Sequence, residues 1–273
     1  MSEIKVQVIY PEDSWILNKL AKYLIDNIDF VKGYPWKPDQ SNIWDIAYYV
    51  NFRLFKPYYS LRKPLGSTKN SRLTGAFFTH KDNNKYYKRA AQVDFCICPC
   101  KKSMNLAKKF NKSSFVVYHG IDLEEFKPIL HLGFIGKITN NGRKGERMFP
   151  LVRKIPFVKL HCSEGKIAQN EMGNFYQKLD AVLITSTAEG GPLCFQEGLA
   201  CGKEIISTDV GMVSDFKHCK GIHIFDRKNP QELINILENL YEIKNTRRKI
   251  IEHYSIEYFV NEHIKIFKLM AKK

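Results

Sequence analysis

Apolar positions along the 273-residue chain fall into two alternating periods. Ile4–Tyr10 alternates apolar and polar residues and predicts a strand. After it, Ile16, Leu17, Leu20, Ala21, Leu24, Ile25 and Ile28 recur at helical spacing behind Asp13 or Ser14, either of which suits an N-cap. Asp45–Val50, Leu73–Thr79 and Val93–Cys98 read as further strands. Beyond residue 128 the pattern predicts a strand at 132–136, a helix at about 146–153, a strand near 158–161 and a helix at about 171–178. A strand at 181–185, a short helix at about 196–201 and strands at 204–208 and 222–225 follow, then a helix opened by Asn229-Pro230. Ser255–Met270 is amphipathic, and no internal repeat is visible. Strand–helix alternation predicts an α/β fold with largely parallel sheets, in which ligands bind beyond the carboxyl ends of the strands.

Length and composition frame this pattern. A chain of this size with 44% hydrophobic residues suits two modest domains, each with its own core. The first residues lead into a strand and not into a signal-peptide core, and no apolar run approaches the roughly 18 residues of a membrane span. A cytoplasmic protein is expected. The seven cysteines, an odd number spread along the chain, suit a reducing compartment. Cys96, Cys98 and Cys100 form the densest group, but a second ligand pair at zinc spacing is absent, so small buried hydrophobes are the expected role. Trp15 could stack on a sugar, but stapling the start of its helix or joining the core is the expected role.

The candidate chemistry lies in residues 185–213, TSTAEGGPLCFQEGLACGKEIISTDVGMV. Glu189 and Glu197 stand eight positions apart around a Gly-Pro loop. The expected placement puts Glu189 at the end of a strand and Glu197 in the first turn of a helix, where unpaired N–H groups favour an anion. By itself this spacing also describes an exposed loop acid followed by a helix-start acid. The flanking residues are more specific. Glu189-Gly190, Glu197-Gly198, Gly202-Lys203-Glu204-Ile205-Ile206 and Asp209-Val210-Gly211 together resemble the E-x7-E signature of glycosyltransferase family 4 (group 1), whose members have the GT-B fold. Pro192 stands where the family commonly has glycine, which removes one amide donor, and Lys203-Glu204 replaces the usual residue before Pro-Val.

Two further segments extend the resemblance in the family's order. Leu132–Lys137 followed by Arg143-Lys144-Gly145-Glu146 is similar to the family's first C-terminal-domain strand, glycine turn and basic pair, with Lys137 where Arg is usual. Val116–Pro128 resembles its interdomain junction. The resemblance implies two Rossmann-like domains facing an interdomain cleft: a reduced acceptor domain at 1–128, a donor domain at 129–254, and a helix at 255–273 that crosses back to the first. It implies a hexosyltransferase that uses a nucleotide diphosphate sugar, retains anomeric configuration and needs neither a metal nor a separate cofactor. Gly136, Lys137, Arg143 and Lys144 would hold the diphosphate, Glu197 the ribose, and Glu189, Gly190, Gly191, Leu193 and Cys194 the hexose side. Glu189, Lys144 and His80 would be the catalytic residues. His80 follows the predicted strand at Leu73–Thr79, whereas the glycine loop that the family places after its first strand is replaced by Pro11–Trp15. The short first half also leaves room for a non-catalytic nucleotide-sugar-binding or scaffolding subunit.

Charge adds a candidate partner. The net charge is +15, with 21 Lys and Arg against 12 Asp and Glu in residues 1–130 and 22 against 16 in residues 131–273. A basic acceptor half suits an anionic membrane leaflet bearing a lipid-linked acceptor, since each nearby Lys or Arg attracts by about 1 kcal/mol. It equally suits nucleic acid, for which no recognised motif is present, or a Lys-rich proteome. A sugar, lipid-linked or protein acceptor is expected, and no nucleic acid. The aromatic, basic stretch Tyr48–Lys63 is the candidate surface contact, although a core strand followed by a loop explains much of it too.

Overall fold

The computed structural model describes residues 4–51, 54, 70–78, 84–138 and 142–273, as two compact units, Met1–Phe126 with Ile251–Lys273 and Lys127–Ile250. The first contains strands β1 (Val6–Tyr10), β2 (Val31–Pro35), β3 (Trp44–Tyr49), β4 (Ser71–Phe77), β5 (Phe95–Cys98) and β6 (Ser114–Val116), with helices α1 (Trp15–Asn27), α2 (Asn84–Tyr87) and α3 (Lys101–Lys108). The second contains β7 (Leu130–Phe134), β8 (Val158–Cys162), β9 (Ala181–Ile184), β10 (Glu204–Ser207) and β11 (Ile222–Ile224), with α4 (Phe149–Arg153), α5 (Met172–Gln177), α6 (Leu193–Ala200) and α7 (Pro230–Lys249). Helix α8 (Ile256–Ala271) returns to the first unit. Both sheets are parallel throughout, as the α/β reading expects, with strand orders β2-β1-β3-β4-β5-β6 and β11-β10-β9-β7-β8.

Both faces of the first sheet are buried. Val6, Val8, Ile46, Tyr48, Phe95 and Ile97 pack with Leu20 and Leu24 of α1 and with Phe259 and Phe267 of α8. Ile9, Ala47, Tyr49, Ala76, Cys96 and Cys98 fill the other face with Tyr87 and Ala107. Strand β2 escapes the sequence reading because Gly33 and Pro35 interrupt its apolar run. As an edge strand it tolerates the proline, and a Cβ at Gly33 would lie 2.3 Å from Ile25 Cδ1.

Several expectations are corrected here. Trp15 is 79% exposed and Ile16 is 44% exposed, so neither belongs to the core. Trp15 lies two positions before Leu17, about 200° around the helix from the stripe that Leu20, Ala21 and Leu24 bury. Tyr48 and Tyr49 are buried on opposite faces of the sheet, so the surface contact proposed for Tyr48–Lys63 does not begin with them; most of that stretch lies outside the described residues. Cys96 and Cys98 are fully buried, and burial pushes the Cys96 thiol up to about 12 and raises the Cys98 thiol further. Cys100 instead caps α3 by accepting from the Ser103 N–H.

In the second sheet the chain leaves β7 for β8 on one side and then crosses to β9 on the other. The order therefore reverses between β7 and β9, and the carboxyl ends of these two strands border the crevice such a reversal creates. The expected extension of β9 through Glu189 is absent: the strand ends at Ile184. Beyond that point the backbone turns to a different partner, with the Thr187 N–H donating to Arg143 O and the Thr185 hydroxyl to Lys144 O. Among the described residues no helix is long and apolar enough to cross a membrane.

Candidate functional site

Three loop segments meet at the carboxyl ends of β7 and β9, the first two belonging to the one connection between β7 and α4. The first leaves β7 through Gly136, whose φ of +139° favours glycine, and the Gly136 N–H donates to Ser163 Oγ after β8 at 2.9 Å. A Cβ at Gly136 would stand 4.0 Å from Lys144 Nζ, so the glycine keeps space open beside the ammonium group. Lys137 is exposed, and its Cβ lies 3.8 Å from the position a Gly165 Cβ would take, on the β8 side of the crevice.

The second loop carries Arg143 and Lys144. Gly145 turns it with φ +75°, and a Cβ there would sit 2.0 Å from Thr185 O. That close approach presses the basic loop onto the end of β9.

The third loop carries Glu189. Its Oε1 accepts from Lys144 Nζ at 2.5 Å and from Ser186 Oγ at 2.8 Å, and Arg143 Nη1 lies 3.3 Å away. Arg143 also donates to Ala188 O at 3.2 Å. Burial pushes the Glu189 carboxyl up, but hydrogen bonds from Lys144 and Ser186 and the adjacent cations outweigh it, so the group is held below the usual carboxylate range. The Glu189 side chain is 12% exposed and that of Lys144 21% exposed, which makes this pair less screened than the surface pairs elsewhere. Gly211 braces the loop from below: its φ is +49°, and a Cβ would lie 2.1 Å from Gly190 O. The Met212 N–H donates to the same Gly190 oxygen at 2.9 Å.

Helix α6 begins at Leu193, three residues earlier than the pattern predicts, because Pro192 supplies an N-terminal flank with fixed φ and its carbonyl accepts from the Phe195 N–H. Leu193 and Cys194 therefore form the first turn and Glu197 falls in the second, which corrects the expectation that Glu197 lies among first-turn amides. Gly198 presses this helix against the sheet, since a Cβ there would meet Val182 Cγ2 at 2.8 Å and Ile205 Cδ1 at 2.9 Å. Glu197 Oε2 accepts from the buried Tyr176 hydroxyl at 2.6 Å. Cys194 lies within electrostatic range of Lys144, Glu189 and Glu197, while burial raises its thiol to about 11 and keeps it neutral.

The structure thus brings together Gly136, Arg143, Lys144, Glu189, Gly190, Gly191, Leu193, Cys194 and Glu197, with exposed Lys137 at the margin. His80 lies outside the described residues. Ser163, Tyr176 and Ser186 are polar partners that sequence reasoning missed. Tyr176 stands 21 residues from Glu197 on another helix, so no local pattern marks the contact. A groove of about 800 Å³ opens nearby between Ser186, Thr187, Asp209 and Arg227, but Lys144, Glu189 and Glu197 do not line it. Among the described residues no three His, Cys, Asp or Glu side chains converge on a metal position.

Residues 134–254 match the family model of glycosyl transferases group 1. No curated protein matches the chain. Among solved structures, the chain is similar to the apo form of lipopolysaccharide outer core galactosyltransferase WaaB, at 13% identity over 97% of this chain and 99% of that one, with a TM-score of 0.41. Sucrose-phosphate synthase from Thermosynechococcus elongatus shares 10% identity over 99% and 100% of the two chains, with a TM-score of 0.41. Anabaena Alr3699/HepE in complex with UDP shares 10% identity over 97% and 100%, with a TM-score of 0.38. Every described residue of the site lies within the segment 134–254 that matches this family model.

Proposed function

We propose that the protein transfers a hexose from a nucleotide diphosphate sugar to an acceptor hydroxyl, with retention of configuration and without a metal. The observation that carries this reading is the Lys144–Arg143–Glu189 cluster at the strand-order reversal of the second sheet. Two fixed cations face one carboxylate, and Gly136 leaves room beside the Lys144 ammonium. As the bond between the anomeric carbon and the diphosphate oxygen breaks, the leaving group gains negative charge. Cations already in place stabilise that charge more in the transition state than in the ground state. The acceptor oxygen bonds to the anomeric carbon on the same face, and its proton passes to the departing diphosphate. Glu189 orients the hexose and keeps Lys144 aimed, while Glu197 accepts from the ribose hydroxyls.

The acceptor on this reading is a sugar, lipid-linked or protein hydroxyl of cell-surface glycan synthesis. The larger positive excess of residues 1–130 would draw the protein to the cytoplasmic face of an anionic membrane. The test combines a thermal-shift screen of nucleotides and nucleotide sugars with assays of donor turnover in chelator. A donor that raises the melting temperature and is consumed in chelator, with turnover lost in Glu189→Gln and Lys144→Ala, supports the proposal. Donor binding without turnover in any assay selects the binding-subunit reading instead. Metal-dependent turnover removes the metal-free mechanism.

A further inference from the structure

We infer that Tyr176 is a positioning residue that pre-orients Glu197 for the vicinal hydroxyls of the donor's ribose, and so sets the protein's preference for ribonucleotides over deoxyribonucleotides. This rests on the assignment of Glu197 to the ribose and adds to it a residue on another helix.

Glu197 stands in the second turn of α6 on a flexible side chain with three rotatable bonds. Left alone, it would lose substantial rotamer freedom each time it gripped a ligand. Tyr176 removes that freedom beforehand. Its ring is 1% exposed and packed among Leu179, Val182 and Phe195, with Phe175 edge-on at 6.4 Å. Tyrosine has only two side-chain torsions, and this packing holds both, so the hydroxyl is a rigid donor. It meets Glu197 Oε2 at 2.6 Å, within the range of charge-assisted O–H···O⁻ bonds. Burial and the hydrogen bond to Glu197 raise the phenol well above its ordinary value, so it stays a donor across the physiological range.

The consequence for Glu197 is geometric. One carboxylate oxygen is tethered, which restricts the rotation of the group, while Oε1 has no side-chain partner among the described residues. A carboxylate accepts about four hydrogen bonds. One lone pair is used by Tyr176, and the rest suit a pair of neighbouring hydroxyl donors. A sugar ring lacking those hydroxyls would leave a half-buried carboxylate desolvated without compensation, and such unpaired groups are the basis of strong discrimination.

Binding of UDP, GDP and ADP and of their 2′,3′-dideoxy counterparts, measured by calorimetry on the full chain, tests this. The intact protein is expected to favour the ribose form of at least one base by about tenfold or more. Tyr176→Phe keeps the ring and should lower that ratio about threefold to tenfold, with affinity for the dideoxy form unchanged. Glu197→Ala should abolish the ratio, and adding Tyr176→Phe to it should change nothing further. Loss of affinity for both sugar forms in Tyr176→Phe, with the ratio preserved, would show a merely structural tyrosine and overturn the inference while leaving the ribose assignment intact. A preserved ratio in Glu197→Ala overturns the ribose assignment, and with it the inference. Failure of all three nucleotides to bind the unaltered chain overturns both. The ratio is independent of the fraction of protein correctly folded, so partial misfolding does not obscure the result.

Discussion

The two parallel sheets of this chain use their polar and ionisable side chains in opposite ways. In the first unit such groups are absorbed into the core. Tyr48 and His263 pair inside a cluster of aromatic rings, Gln7 is fully buried and bonded to Ser71 and to the Asp39 N–H, and Cys96 and Cys98 serve as small hydrophobes. In the second unit, Lys144, Arg143, Glu189 and Glu197 stand at or beyond the carboxyl ends of the strands, in contact with one another or with a rigid donor. The same α/β plan thus yields a stabilising interior in one half and a charged arrangement at the strand ends in the other. The difference comes from where the glycines fall. Gly136, Gly145 and Gly211 have positive φ and bring three loop segments together at the β7–β9 reversal.

The largest effect should come from the charged arrangement. Lys144→Ala should lower donor turnover by two to three orders of magnitude, about 3 to 4 kcal/mol of transition-state stabilisation, with little change in melting temperature. Steady-state kinetics beside calorimetric melting checks this, and an equal loss of both would place Lys144 among structural residues.

His263 provides the matching test in the first unit. A carbonyl only accepts, so Nδ1 carries the proton donated to Phe259 O, and Nε2 accepts from the Tyr48 hydroxyl. Burial, together with the nearby His119, lowers its pKa to about 4, the Phe259 carbonyl opposing the shift. Because the folded value lies below the unfolded one, the unfolded chain binds the extra proton first. Stability is then complete above about pH 6.5 and falls as pH drops towards 4, by about 3 kcal/mol in all. Denaturant titrations across that range should show the slope, and His263→Gln should flatten it.

A smaller effect separates loop geometry from charge. Gly211→Ala forces a Cβ against Gly190 O in a left-handed backbone and should cost about 2 kcal/mol or more. It should also weaken donor binding without altering any charge. The smallest effect is expected at Trp15, whose replacement by Ala should change stability by less than about 0.5 kcal/mol because the ring is exposed. A larger loss would show that the ring packs in solution.

Much of the plan was legible in the chain itself. Period-two and period-3.6 patterns mark β1, β3, α1 and most elements of the second unit, and the flanks of Glu189 and Glu197 carry the family resemblance. Misplacements arose where a local rule met a tertiary competitor. Thr185 and Thr187 are β-branched and suit an extension of β9, yet they hydrogen-bond to the basic loop instead. Pro192 starts α6 early, which moves Glu197 into the second turn.

The amino-acid order alone therefore determined which segments alternate, where the glycines permit reversed turns, and which acids and bases are available for chemistry. These are properties of neighbours along the chain. Only the tertiary structure decided that Lys144 reaches Glu189 across 45 positions, that Ser163 pins the Gly136 amide and that Tyr176 tethers Glu197. Those contacts join side chains from separate strands and helices, and their geometry comes from sheet order and packing, which no short window of sequence records.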